Sequence, residues 1–514
     1  MDQNIEEASE VVDPAPPLPN VWLPELVERY AACLHQNEVV VTLRCVDKAT
    51  AEQFPGCQQS ATVRLSQPVP PHAYAERCAA PGAMRDLTLA RRQQLLRLTA
   101  SSGVAANLEV ALDAVGLVLD PDQQSQLRYI AAASGHADVT QSLLRRGFKA
   151  AGGGREDVCV AAGAGHQAVC EVLLSSGAEW GIVQVASTLR GGHPELADWL
   201  LLRRPQEPIG TRDSLAPLGE RTCRELLEAA AGGCDLAALQ SLHARCELSE
   251  IESMGVLNAV AGSHILNWKG KFLWAEQVFR PGSHRSYSVC ERAAGCPDGE
   301  ARLAWLLEKG YPASSTAADA AVRAGNVGVL ELLLRRGVRP ERLAVSRAME
   351  KGRIEVLEKL REHGCPLDAA GLVWAAVGGG QLPVLAWAVE ELGASVQNPD
   401  MRKDAIQLCD LEVLKLLRQH GCPLDGNAVA LRAAELGRLP GVQWAVEELG
   451  ARVRKLDLMH SAARSGSVEL MAWLRQRGCA WVASVLTQAA GAGCEATLEW
   501  MAEQGCPMPV RLPK

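Results

Sequence analysis

Seventeen cysteines and eleven histidines are the residues of this chain with the chemistry to hold a metal or act as nucleophiles. Zinc needs clustered ligands at short fixed spacings. No C-x-x-C pair occurs, and His243 with Cys246 is the one close pair of ligand types at that spacing. A disulfide framework needs an oxidising compartment. The opening residues, MDQNIEEASEVVDPAPPLP, are acidic and proline-rich and carry no apolar stretch of the kind a secretory signal has. A reducing compartment, cytosol or nucleus, is therefore expected. The cysteines also recur in phase: HGCPLD fills His363–Asp368 and again His420–Asp425, followed by Gly478-Cys479 and Gly505-Cys506-Pro507. A thiol that returns at one phase of a repeat is expected as a small buried filler. The glycine runs Gly152-Gly153-Gly154 and Gly378-Gly379-Gly380 lack phosphate-loop spacing, and no G-x-S-x-G, H-E-x-x-H or acidic calcium loop occurs. The pairs Glu390-Glu391 and Glu447-Glu448 recur in the string AVEELGA and read as solvated helix faces. No catalytic residue, metal site or cofactor is expected.

The elements that would carry these residues are one unit written many times. Asp457 to Gly478, DLMHSAARSGSVELMAWLRQRG, reads as two short amphipathic helices in a hairpin. The first stops at Gly466 and the second at Gly478, where a left-handed C-terminal cap suits glycine. Helices shorter than ~12–15 residues are marginal alone in water, so such a hairpin needs neighbours. They are present: Gly310, Gly337, Gly364, Gly393, Gly421, Gly450, Gly478 and Gly505 recur every 27–29 residues. A fixed period in the range of about 20–50 residues marks a solenoid. An all-α fold of about fourteen stacked hairpins over residues 95–514 is expected, presenting an extended concave groove that binds another protein. Trp305, Trp387, Trp444, Trp473 and Trp500 share one phase on the second helix and are expected to pack between neighbours.

Bulk properties narrow the partners. Net charge is −8 and the pI about 5.9, which predicts no nucleic-acid partner. No apolar run reaches about 18 residues, so no membrane span is expected.

Two resemblances sharpen the reading. In Tyr129–Gly147 and Val158–Ala178 the pattern AA-x-x-GH-x-x-V-x-x-x-LL-x-x-G resembles the core of an ankyrin repeat. The ankyrin TPLH tetrapeptide is absent and the period is 27–31 residues, which implies shortened fingers between retained helix pairs. His136, His166 and His193 occupy the GH phase, where a histidine is expected to bond neighbouring backbone. Residues 21–57 resemble an F-box: Leu23-Pro24-Glu25-Leu26 opens a short helix, and Leu43, Val46, Lys48 and a closing Phe54 follow the break at His35-Gln36-Asn37. The resemblance implies docking onto the Skp-type adaptor of a cullin–RING ubiquitin ligase, with Leu23, Pro24, Leu26, Val27, Leu34, Val39, Leu43 and Val46 carrying the contact. The same residues also read as a plain helical cap over the first repeat, the chain then being a scaffold or inhibitor with no ligase role.

Flanking these units, residues 1–20 read as a disordered tail and 58–94 as a loop-rich connector. Arg203–Thr222 reads as an inserted polar loop. Ser263–Ser288 concentrates Trp268, Lys269, Lys271, Trp274, Arg280, His284, Arg285 and Tyr287 in an otherwise acidic chain. It reads either as a decayed repeat or as a partner-binding protrusion, since aromatic and arginine side chains supply binding hot spots.

Overall fold

Glycine marks where the second helices of the later hairpins stop. In the computed structural model the repeat glycines from Gly310 to Gly505 all have positive φ, from 62° at Gly393 to 88° at Gly478, the left-handed cap a side chain disfavours. The structure describes residues 23–507 apart from Asp47, 55–61, Asp86, 149–150, 204–217, 247–253, 280–284, 454–455 and Trp481. The tail at 1–20, most of the 203–222 insertion, and Arg280 and His284 lie outside the described residues.

The described residues form fourteen helix hairpins, from Leu89–Ser102 with Ala105–Ala114 to Ala483–Gly491 with Glu495–Glu503. The fold is all-α, a helical-repeat solenoid. The one β-type pairing among the described residues is an isolated antiparallel bridge between Leu117 and Cys494. First helices carry alanine on their buried faces: Ala131 and Ala132, Ala161 and Ala162, Ala229 to Ala231, Ala317 and Ala318, Ala433 and Ala434, Ala462 and Ala463. Second helices bury larger groups at matching positions, including Leu143, Leu173, Leu200, Leu306, Leu333, Leu360, Leu417 and Leu474. Small side chains let neighbouring first helices approach along their length, and adjacent second helices touch less. Small inside and large outside curves the stack, with first helices lining the inner face.

In several hairpins the residue that opens the second helix ties it to the hairpin before. His136 Nε2 donates to the Ser101 carbonyl at 2.9 Å and His166 Nε2 to Ala133 at 3.2 Å. Later copies use other donors at this phase: Asn326 Nδ2 to Cys296 O at 2.9 Å and Arg438 Nη1 to Cys409 O at 2.7 Å. The histidine rings lie beneath the preceding turn, where a Cβ on Gly103 would come within 2.5 Å of His136.

The curvature brings the array back to its own start. Arg85 pairs with Glu503 at 2.7 Å, and Arg92 Nη1 donates to Cys494 Sγ at 2.8 Å. Thr88 and Leu89 lie against the turns at Gly437 and Gly466. The expected open groove is thus a closed turn, whose first hairpin sits on the turns of the last three. The 58–94 stretch, expected as loop-rich, contributes to this join: helix Pro71–Cys78 places Tyr74 against Thr99 (2.7 Å between hydroxyls), and Val69, Tyr74, Cys78 and Met84 enter the core of the first repeats.

Candidate protein-binding surfaces

Three places could meet a partner: the N-terminal helical module, the basic-aromatic segment, and the inner face. The module comprises helices Pro24–Cys33, Gln36–Val41 and Lys48–Gln53 with a 3₁₀ turn at Leu43–Cys45. Pro24 at the first helical position fits because its missing N–H would be unsatisfied there anyway. Of the residues expected to dock, Val27, Val39 and Leu43 form the module's own buried core with Ala31 and Phe54. They are needed to fold it and cannot also be its surface. Leu23 (46% exposed), Leu34 and Val46 stay outside, with Pro24 beside them and Leu26 half-buried. Tyr30, which the sequence places in one apolar stripe with Leu26, Val27, Ala31 and Leu34, is exposed as well, and positions 23, 26, 30 and 34 recur at helical spacing. Asn37 is fully buried and ties the module to residues 64–68, its Nδ2 donating to Arg64 O at 2.8 Å and its Oδ1 accepting from Arg64 N at 2.8 Å.

The basic-aromatic segment is a repeat, not a protrusion. Its core is the second helix Trp268–Val278. Trp268 is buried edge-on to Trp305, and Phe272 lies edge-on to both Trp305 and Tyr311. Lys271, expected at a binding surface, has no exposed area; its Nζ donates to Cys234 O at 2.6 Å and Ser263 Oγ at 3.1 Å. Burial pushes its ammonium down to about 8. Trp274 is half-buried against His243 and Phe279. Lys269, Arg285 and Tyr287 alone of that set remain accessible, with Arg285 stacked 5.3 Å from the Tyr311 ring. The helical spacing of apolar positions 268, 272, 275 and 279 was the signal for burial, and the lysine between them masked it.

The cysteines behave as fillers. Cys170, Cys223, Cys234, Cys246, Cys290, Cys422, Cys479 and Cys506 are buried and in no disulfide. Burial pushes the thiols of Cys170 and Cys234 up to about 11 and that of Cys290 to about 12, away from the reactive thiolate. Among the described residues no cluster of His, Cys, Asp or Glu could hold a metal, and no helix is long and apolar enough to cross a membrane. Trp305, Trp387, Trp444, Trp473 and Trp500 are half-buried against the core, and the Glu390-Glu391 and Glu447-Glu448 pairs are exposed.

No family model and no curated protein matches the chain. Among solved structures, the chain matches the pentatricopeptide repeat protein PPR10 in complex with an 18-nt psaJ RNA element at 11% identity and a TM-score of 0.26, covering 95% of this chain and 85% of that one. It also matches the same protein from maize, at 11% identity and a TM-score of 0.27, over 94% and 83% of the two chains. At these values the likeness gives this chain no ligand. The expected exclusion of nucleic acid does not hold: it rested on a net charge summed over 514 residues, which leaves a local basic cluster open, and a solved structure that the chain matches is itself in complex with RNA. Such a cluster exists. Arg335, Arg336, Arg339, Arg342, Arg347, Lys351 and Arg353 fall within 19 residues that hold only Glu341 and Glu350 as acids.

Proposed function

We propose that the chain is a non-enzymatic substrate-recognition subunit of a cullin–RING ubiquitin ligase, working in the cytosol or nucleus. In this reading residues 21–57 are an F-box-like module that recruits the Skp-type adaptor, and the degenerate ankyrin-like hairpins hold a target protein for ubiquitin transfer catalysed elsewhere. The observation that favours it is the stripe Leu23, Leu26, Tyr30 and Leu34. In the folded chain Leu23, Tyr30 and Leu34 are exposed and Leu26 is half-buried, beside the module's core of Val27, Val39 and Leu43. A cap whose only task was to shield the first repeat would turn such a stripe inward.

The test is recovery of the adaptor by the full chain, compared with a Tyr30→Asp, Leu34→Asp variant that leaves the module's core intact. Recovery by the wild type and its loss in the variant are expected. If the wild type recovers no adaptor while the folded solenoid still captures other proteins, the chain is a scaffold or inhibitor and the module only a cap.

A further inference from the structure

Two recesses meet on the inner face at the hairpins that begin with helices Arg342–Glu350 and Ala369–Gly378. One, about 620 Å³, is lined by Ser346, Glu350, Lys351, Gly371, Trp374 and Gly378 among others. The second, about 300 Å³, is lined by Arg339, Arg342, Met349, Leu367 and Asp368 and shares Ser346 and Gly371 with the first. Together they make one groove across the two helices.

Counting back from the residue that begins each second helix, position 378 corresponds to Arg323, Glu350, Gln407, Glu435 and Arg464 in five hairpins of the later half and to glycine in four others, Gly163, Gly232, Gly295 and Gly491. Here it is glycine as well, and a Cβ on Gly378 would have nothing within 4 Å. Seven residues before the same reference point stands Trp374, 51% exposed, its Nε1 donating to Asp404 Oδ2 at 2.5 Å. A large aromatic ring held by its edge at the side of a glycine floor costs little to order on binding. Arg339 and Arg342 lie at one end and Lys351 at the other, each exposed and with no carboxylate partner among the described residues.

We infer that this groove binds an acidic peptide segment of the target protein, with an apolar side chain against Trp374 and carboxylates on Arg339, Arg342 and Lys351. This deepens the target-holding half of the function proposed above and rests on it. A peptide fits better than a nucleic-acid strand because Glu350, Asp368 and Asp404 stand among the cations. A polyphosphate would set a charge against each of them, whereas a peptide can offer amide donors to these carboxylates and acidic side chains to the cations beside them.

The probe is a fluorescent peptide with two glutamates on each side of a Leu-Phe pair, titrated with the full chain by anisotropy. Controls are the same peptide with lysines for glutamates and a short oligouridylate. Saturable binding of the acidic peptide alone is expected. Gly378→Leu fills the floor of a helix end and adds helix propensity, so it keeps the fold and is expected to weaken binding about tenfold or more. Arg339→Glu with Arg342→Glu does the same through charge. No peptide binding, binding that survives both variants, or tighter binding of the oligouridylate lost in the same variants would each overturn the inference. Adaptor recovery through residues 21–57 is unaffected by Gly378→Leu, so failure of the groove and failure of the ligase reading are separable.

Discussion

Left-handed glycines end helices in both halves of the array, at Gly135, Gly147, Gly165 and Gly177 as at Gly310 to Gly505, but the two halves bury different polar side chains. From Tyr311 onward the buried polar side chains are serines and a threonine, and the carbonyls at helix ends are met by glycine turns. Before it, four cations are buried among the described residues: Arg92, Arg128, Lys271 and Arg302. Three of them sit where the repeat is irregular. Arg302 donates to the carbonyls of Ala261 and Ser263, at 3.0 and 2.7 Å, where helix Met254–Ala261 ends in no left-handed glycine. Lys271 reaches Cys234 O past the end of helix Glu220–Gly233, and Arg92 serves Met84 O at 2.6 Å and Leu87 O at 2.9 Å in the stretch leading into the first hairpin. A backbone that departs from the standard turn leaves acceptors that something must satisfy. A long cationic side chain does it at a distance, at the cost of burying charge.

The sharpest way to break this contrast is at the fourth cation, Arg128, which forms with Asp157 an ion pair buried on both sides. Asp157→Leu leaves the guanidinium unpaired and is expected to destabilise the first repeats by about 3–5 kcal/mol, and Arg128→Leu with Asp157→Leu to recover most of it. Chemical unfolding of the three proteins checks both. Arg92→Leu strips donors from buried carbonyls, an effect of about 3 kcal/mol. Hydrogen exchange is expected to rise around residues 84–118 and also 466–503, because the same side chain touches Cys494; a rise confined to the first set would uncouple the join from the brace. In the later half, Gly337→Ala is expected to cost about 1–2 kcal/mol, all of it backbone strain at φ 80°, since an added Cβ would meet nothing within 4 Å.

Lys271 gives a pH-dependent test. Burial lowers its pKa to about 8 from 10.5, so the unfolded chain binds more protons between those values and the native state gains stability as pH rises through them. The stability of Lys271→Met relative to wild type is therefore expected to fall as pH rises from about 8 to about 10, measured by paired melts. The smallest effect is at the rim of the join: Arg85→Ala removes an exposed pair with Glu503 and is expected to change stability by less than about 1 kcal/mol, and less still in high salt.

Hairpins and caps were legible because they are local. A glycine two to three turns after an apolar stripe forces the same stop wherever it occurs, and Gly310 to Gly505 each show it. The closure was not legible, because it is the sum of small tilts set by alanine against leucine over fourteen units, and no single residue encodes it. Lys271 misled for a related reason: its charge suggests solvent, while the carbonyl it serves belongs to a residue 37 positions earlier. At the N-terminal module the apolar pattern was read, but not its division. A three-helix unit has to spend Val27, Val39 and Leu43 on itself, and only the remainder is surface.

Ordinary solenoids evolve by duplication, since any copy can be inserted and the neighbours simply shift along. This one has given up that freedom. Because Arg92 and Leu117 meet Cys494 from the far end of the chain, one more hairpin or one fewer would rotate the last turns past the first, and both ends would be left bare. The number of units is set by geometry as firmly as the number of strands is in a barrel.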